Sequence, residues 1–421
     1  MNTKAKWTIF LWTFFVMLSA LLLSSCGYHY KCGTTFGSAS CTSSGSGLGT
    51  TGSASGNTAF AYNIVSSGTV NGISLSGGTN PTLQNISGFT AQTVPSGDQS
   101  AEIVVVPKKF VYAVFPLTQL LFGWSINSTS GNLTPVSGSP YTISSAGGMI
   151  VNTTGVNFNS IAVSPAGNVL YIASAGFGEI DAYQIGPAGA LTQVSGAPFS
   201  TGAFGPLNLS FDGLGKYLYA TAGPEGLGQQ VAAYSIGSSG ALTVVPGSPF
   251  AFNMWQMQGD PSGQFMIGIS GRSFALNGLV DDKSLYVFSI QQTGTNAGAL
   301  TQVSGSPFLT VSAPINLAVQ PVASNGNFVY TFSVSSPVEG YQLDTTSGAL
   351  TALTTSPFGN LGAAPWGQFD QGGANLFILG STGTSSSLGV LSAASGTGNL
   401  TEPTSVLSIG ATTYFAVTDA P

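Results

Sequence analysis

Side chains able to do covalent or metal chemistry are few in this chain and cluster at one end. The one histidine, His29, and the three cysteines, Cys26, Cys32 and Cys41, all precede residue 42 of 421. From residue 58 onward there is neither histidine nor cysteine, which excludes a Ser-His-Asp triad, a Cys-His pair and a His- or Cys-based metal site there. No Gly-x-Ser-x-Gly elbow occurs. Gly213-Leu214-Gly215-Lys216 lacks the upstream glycine and the following Ser or Thr of a phosphate loop. The other resource for chemistry is charge. The chain has 8 basic and 14 acidic residues, a net charge of −6 and 5% charged side chains, where an ordinary soluble domain has about 25%. Eight cations cannot build a nucleic-acid-binding face, so no nucleic-acid partner is expected. Glu, Lys and Arg are too scarce to cover the exposed faces of a helical bundle. At 43% hydrophobic residues the chain is too apolar for charge-driven disorder.

One segment concentrates what charge there is. Arg272, Asp281, Asp282 and Lys283 fall between Ser270 and Ser284, and they are a fifth of the 20 charges after residue 25. Long loops on a rigid scaffold are where sites tend to lie. With Glu225 and Glu339 from equivalent loops, these residues form the candidate ligand-face site. The competing reading is a solvated insertion whose charges keep it soluble. Asp281-Asp282 could also hold Ca²⁺ weakly, but no metal, no cofactor and no catalytic residue is assigned. Asp212, Asp260 and Asp370 sit beside glycine-containing turns, where Asp favours the turn itself. Lys108 and Lys109 occupy the matching turn of an earlier unit. Trp255 and Trp366 precede short apolar strands and read first as packing anchors.

The elements that must position these residues repeat. Gly-Ala/Asn-Leu-Thr begins at Gly131, Gly189, Gly240, Gly298, Gly348 and Gly398, at spacings of 50 to 58. A small residue, proline and an aromatic follow the first five copies, as in Ser139-Pro140-Tyr141 and Ser248-Pro249-Phe250. The unit from Ser160 to Ser195 reads as four short strands joined by turns at Pro165–Asn168 and Gly186–Ala190. Four short antiparallel strands per 50 residues make one blade of a β-propeller. The glycine permits the positive φ of a tight hairpin, and the proline is expected to end the outer strand before the crossover. Inner strands are expected near Ile103, Ile161, Leu207, Gln256, Ile315 and Gly367. A seventh, Tyr414 to Thr418, has no blade after it, while Phe60–Val65, Val70–Leu75 and Leu83–Ile86 lack a first strand. The expected fold is all-β: a seven-bladed propeller of four-stranded antiparallel blades over residues 58–421, closed by pairing of the N- and C-terminal strands. The 364 residues give 52 per blade.

The succession Ser-Pro-x-Gly-x-x-Leu-Tyr, Ala-Tyr-x-Ile and Gly-Ala-Leu-Thr-x-Val-x-Gly-Ser-Pro-Phe resembles the bacterial seven-bladed lactonase-like propellers, related to 6-phosphogluconolactonase and to Tyr-Val-Thr-Asn surface-layer repeats. The resemblance covers the whole domain and implies a lactonase-type hydrolase. Active members are expected to use His, Arg and acidic groups in the central pocket, and this chain supplies one arginine, Arg272, and no histidine in the domain.

The first 57 residues read as an address and a tether. Lys4 and Lys6 precede 17 uncharged residues, Trp7 to Leu23. That run is short for a spanning helix and fits the apolar region of a signal peptide. Leu23-Ser24-Ser25-Cys26-Gly27 resembles the lipobox of bacterial lipoproteins, which implies a signal peptide over 1–25 and diacylglycerol on Cys26. Gly27, in place of the aspartate associated with inner-membrane retention, favours the outer membrane of the cell envelope. Residues 27–57 hold 8 Gly, 7 Ser and 5 Thr, so 26–57 reads as a flexible tether. Cys32 and Cys41 within it are a possible disulfide outside the cytoplasm. The expected function is a lipid-anchored, non-catalytic binding or scaffold module for a protein or carbohydrate. A lactonase-type hydrolase and a purely structural surface protein are the alternatives.

Overall fold

Strands that follow one another in the sequence pair antiparallel, and each group of four forms a separate sheet. In the computed structural model the described residues are 57–77, 81–98, 101–143, 161–174, 177–202, 205, 208–221, 230–270, 272–275, 278–322, 324, 326–333, 337–358, 366–381, 386–401, 405–410 and 412–420. They belong to one compact unit, Gly56–Pro421. Residues 1–56, which include the expected signal peptide, nearly all of the expected tether, and Cys26, His29, Cys32 and Cys41, lie outside them, as does Glu225.

Seven blades form a ring. Blade 1 takes its strand one from the C-terminus, Thr412–Asp419, and its strands two to four from Asn57–Val65, Thr69–Ser76 and Leu83–Asn85. Strand one of blades 2 to 7 is Glu102–Val106, Ile161–Val163, Asn208–Phe211, Gln256–Gly259, Asn316–Val319 and Trp366–Phe369, as the repeat predicts. Each of these seven strands touches the next, and Thr412–Asp419 touches Glu102–Val106, so the ring is closed. The terminal pairing has Phe60 opposite Thr418 and Asn63 opposite Phe415. Strand two is buried on both sides; all six residues of Phe110–Phe115 are buried. Blades packed face to face leave no solvated side, so the alternation of a one-sided strand disappears.

One contact ties most neighbouring blades together. Tyr62, Tyr112, Tyr171, Tyr219 and Tyr330 lie on strand two, and each donates its hydroxyl to the carbonyl of the repeated glycine in the next blade, at 2.6–2.9 Å. That glycine has a positive φ, 74° at Gly131 and 86° at Gly240. A Cβ there would also strike the preceding blade: at Gly240 it would lie 2.7 Å from Val169. The glycine therefore serves the turn and the close approach together. At the seam between blades 5 and 6 the tyrosine position holds Ile267, which has no hydroxyl to give.

Two expectations need correction. The proline does not end pairing. The five Ser-Pro or Ala-Pro bonds are cis, and beyond each the chain returns to strand three at its other end. Tyr141, Phe199 and Phe308 begin two-residue strands there. Phe250 and Phe358 make single bridges to Val231 and Val338. The excursion between the two halves leaves one strand-three N–H without a ladder partner, and the serine before proline accepts it: Gly123 to Ser139, Ala233 to Ser248, Val287 to Ser306 and Gly340 to Ser356, at 2.8–3.0 Å. The sixth Gly-Asn-Leu-Thr does not start an outer strand either. Leu400 makes one bridge to Ala393, and strand four of blade 7 is Ser405–Gly410.

Candidate functional site

Turns between strands one and two, and between three and four, lie at one end of the ring. Connections between strands two and three, and crossovers from strand four to the next strand one, lie at the other, here called the crossover end. The segment holding Arg272 and Asp282 is at the crossover end. It is an extra hairpin, Arg272–Ala275 paired with Gly278–Asp281, with Arg272 opposite Asp281. Just after it, Asp282 is half-buried and its Oδ2 accepts hydrogen bonds from Ser270 Oγ and from Tyr286 Oη, the latter at 2.9 Å. Burial, and then that bond to Asp282, push the Tyr286 hydroxyl up to about 12. Lys283 is exposed, and its carbonyl accepts from Thr310 N at 2.9 Å.

Glu339, the candidate that accompanies this loop, is 3% exposed and hydrogen-bonded within the protein. Its carboxylate accepts from Val311 N at 3.0 Å, Ser312 N at 2.9 Å and Tyr341 Oη at 2.6 Å. Burial, and then Glu339, raise the Tyr341 pKa. Thr310 to Ser312 belong to the crossover from blade 5 to blade 6. Lys283 and Glu339 therefore grip the same crossover from two blades. The structure brings Asp282, Lys283 and Glu339 into one neighbourhood, but as its scaffolding. A buried carboxylate is tolerated when hydrogen bonds replace its water.

The acids read as turn residues behave as expected. Asp260 Oδ1 accepts from Phe265 N at 2.7 Å and Gln264 N at 3.0 Å. Asp212 accepts from Tyr217 N at 2.7 Å, and Asp370 from Asn375 N at 3.1 Å. Burial raises the pKa of Asp212 and Asp370 while these bonds oppose it.

A second cluster escapes a search for catalytic motifs. Four residues before the turn position held by Asp212, Asp260 and Asp370, strand one carries Asn208, Gln256 and Trp366. The equivalent residues elsewhere are Asn316, Tyr414 and Glu102. All six are buried, at 2–6% exposure, and they link blade to blade at the crossover end. Asn208 Nδ2 donates to the Trp255 carbonyl at 2.6 Å. Gln256 Oε1 accepts from Asn316 Nδ2 and from Leu317 N, both at 3.1 Å. Asn316 Oδ1 accepts from Gly367 N at 3.3 Å. The rings of Trp366 and Tyr414 are 4.8 Å apart between centroids. Burial raises the Tyr414 hydroxyl well above its ordinary value, and the Glu102 carboxylate pushes the same way. The Trp366 indole N–H is buried and has no partner among the described residues. The signal for this crown is available in the sequence: a polar or aromatic residue at one fixed offset before each turn. Both tryptophans also pack in the core as anchors.

The crown can do two things. Its amides, indole and phenol can hydrogen-bond a neutral polyhydroxylated molecule, and Glu102 is a carboxylate that could take a proton. Among the described residues no group of three or more His, Cys, Asp or Glu is arranged to hold a metal ion.

No family model matches the chain, and no curated protein matches it. Solved structures do. The periplasmic gluconolactonase of Pseudomonas aeruginosa has a TM-score of 0.60 at 13% identity, with 87% of this chain and 99% of that one covered. A Bacteroides uniformis protein provisionally named a 6-phosphogluconolactonase has a TM-score of 0.61 at 14% identity, over 86% and 99%. Its counterpart in Bacteroides fragilis has 0.60 at 15%, over 87% and 99%. The chain has the fold of the 6-phosphogluconolactonase-like seven-bladed propellers. At these identities the likeness concerns fold, and fold leaves activity to the site.

Proposed function

We propose that this chain is an extracytoplasmic propeller that recognises a neutral polyhydroxylated ligand, of the sugar or sugar-lactone class, at the crown. The observation that carries this reading is the buried Trp366 indole N–H, which has no partner among the described residues, beside Tyr414 and in the same crown as Glu102 and the side-chain amides of Asn316 and Gln256. Sugar sites combine such donors with an aromatic ring, and a buried unpaired donor is costly until something accepts from it. Titration of the full chain with glucono-δ-lactone and with glucose, followed by calorimetry, tests it. Saturable heat weakened at least tenfold by Trp366→Phe is the expected result. The absence of saturable heat with both probes overturns the reading.

The second reading is lactone hydrolysis, favoured by a carboxylate, Glu102, within the crown, the residue type that serves as a general base. Turnover of glucono-δ-lactone above the spontaneous rate, abolished by Glu102→Gln, supports it. Turnover lost instead in Arg272→Ala moves the chemistry to the hairpin. A scaffold for a protein partner and a purely structural surface role are what remain if both readings fail.

Lipid anchoring through Cys26, with the outer membrane as destination, belongs to the same proposal and rests on the order Lys4, Lys6, apolar run, Leu23 to Gly27. Loss of lipid labelling with globomycin or in Cys26→Ser is expected; unchanged labelling overturns the anchor.

A further inference from the structure

Exposed lysines gather at one end of the propeller. At the crossover end lie the acids Asp98, Glu102, Glu179, Asp181, Asp282 and Glu339, of which Asp98, Glu102, Asp181 and Glu339 are buried, together with Arg272 and the exposed Lys283. At the turn end lie Lys108, Lys109 and Lys216, all exposed, in the strand one-to-two turns of blades 2 and 4. Three acids at the turn end, Asp212, Asp260 and Asp370, are buried and spent on turn N–H groups. Asp419 accepts from Gln371 N, and Asp344 sits on the distant blade 6.

The lysines form one surface. A Cβ on Gly215 would touch Pro165 at 3.1 Å, and one on Gly167 would touch Val106 at 3.0 Å. The blade 4 turn thus abuts the blade 3 turn, which abuts the strand leading into Lys108-Lys109. The blade 3 turn adds no charge, only Pro165 and Ala166, both exposed. Beside Lys216, Leu214 is 51% exposed.

The chain enters the propeller at the same end. Ala59 pairs with Asp419 and Phe60 with Thr418, and Thr418 Oγ1 accepts from the Lys108 backbone N–H at 2.9 Å. The first described strand therefore begins two ladder positions from a lysine-bearing turn. Whatever residues 1–56 are attached to pulls on this end.

We propose that the turn end of blades 2 to 4, through Lys108, Lys109, Lys216 and Leu214, seats on an anionic phospholipid surface. The crossover end with its crown then faces away from it. Lysines near an anionic bilayer each add to binding within about a Debye length, and an apolar side chain among them adds contact with the headgroup boundary. The exposed lysines and the entry of the chain lie at the same end, and together they impose one orientation.

The test uses the full chain carrying Cys26→Ser, floated with vesicles of phosphatidylglycerol and of phosphatidylcholine. Lys108→Gln, Lys109→Gln and Lys216→Gln together lower the net charge by three. A matched control, Phe177→Glu, Leu309→Glu and Val311→Glu, lowers it equally at exposed positions of the crossover end. Circular dichroism verifies that both variants fold. The lysine variant is expected to lose binding to the anionic vesicles on the order of a hundredfold, and 0.5 M salt, which shortens the Debye length roughly twofold from its value at 0.1 M, to weaken the parent's binding as well. The control is expected to bind as the parent does. Equal loss in both variants makes the effect one of net charge and overturns the proposal. So does undiminished binding of the lysine variant, or equal binding to both vesicle types, which would point to the apolar N-terminal segment. None of these outcomes depends on what the crown binds.

Discussion

Among the described residues, Asp181 is a buried carboxylate whose surroundings leave one oxygen without a partner. It lies on strand three of blade 3, 3% exposed, and its Oδ2 has no partner among the described residues. Burial is the main cause that lifts its pKa to about 6, Glu179 adds repulsion, and a hydrogen bond with Gln193 opposes both. The folded state thus holds this proton more tightly than the unfolded state does. Its stabilising contribution is complete below the ordinary carboxylate pKa and is lost as pH rises through about 6. The protein is expected to gain stability between pH 7 and pH 5, and Asp181→Asn to flatten that dependence and add about 1 kcal/mol at pH 7. Urea midpoints at the two pH values measure this; a variant with the parent's pH dependence would show that Asp181 is not the source. Glu339 occupies the equivalent place in blade 6 with three donors around it. Scarce charge made both acids conspicuous in the sequence. What sequence could not show is that one is satisfied and the other is not, because the backbone N–H groups that satisfy Glu339, those of Val311 and Ser312, lie 28 and 27 residues away.

At the scale of the element, the repeated tetrapeptide decides how closely blades approach. Gly240 has a positive φ and faces Val169, whereas Gly396 has a positive φ of 78° with open space where a Cβ would go. Gly396→Ala should cost only the left-handed backbone, about 1 kcal/mol. Gly240→Ala adds a clash in a packed seam and should cost about 3 kcal/mol in all. Chemical denaturation of the two variants separates the turn from the packing; equal costs would refute the close approach. The period of 50 residues, the strand count and the turn glycines were all legible, because they repeat and because their conformational demands are local. The return strand after each proline was not. Two residues such as Phe199–Ser200 are too short to carry a periodicity, and the serine that supports them works through a hydroxyl whose partner lies 15 to 19 residues away in four of the blades. The tyrosines of strand two looked like ordinary apolar residues of a buried strand, though their hydroxyls join one blade to the next.

For the molecule as a whole, closure rests on the C-terminal strand. Without Thr412–Asp419, Asn57–Val65 loses its inner neighbour and the inner strands of blades 7 and 2 lose their connection. Open strand edges invite pairing with other chains. A chain ending at residue 411 is expected to be soluble only in small part and to unfold over a broader range than the full chain in a calorimeter. A truncated chain that is monomeric and unfolds as sharply would refute the dependence. The clasp was readable because the sequence has an incomplete unit at each end and the two remainders fit. The crown was harder to read, since its members differ in type and share only an offset, and it acquires meaning when the ring brings that offset together.

The clasp also bears on how the protein is made. Synthesis runs from Asn57 to Asp419, so the first blade waits for the last strand. During elongation no intermediate has a closed ring, and six blades can be complete while the seventh still lacks its innermost strand. The ring can therefore close only once Thr412–Asp419 is available, so the C-terminal strand, rather than the first blade, completes the native state. A product that lacks this strand carries an open sheet edge in its first blade.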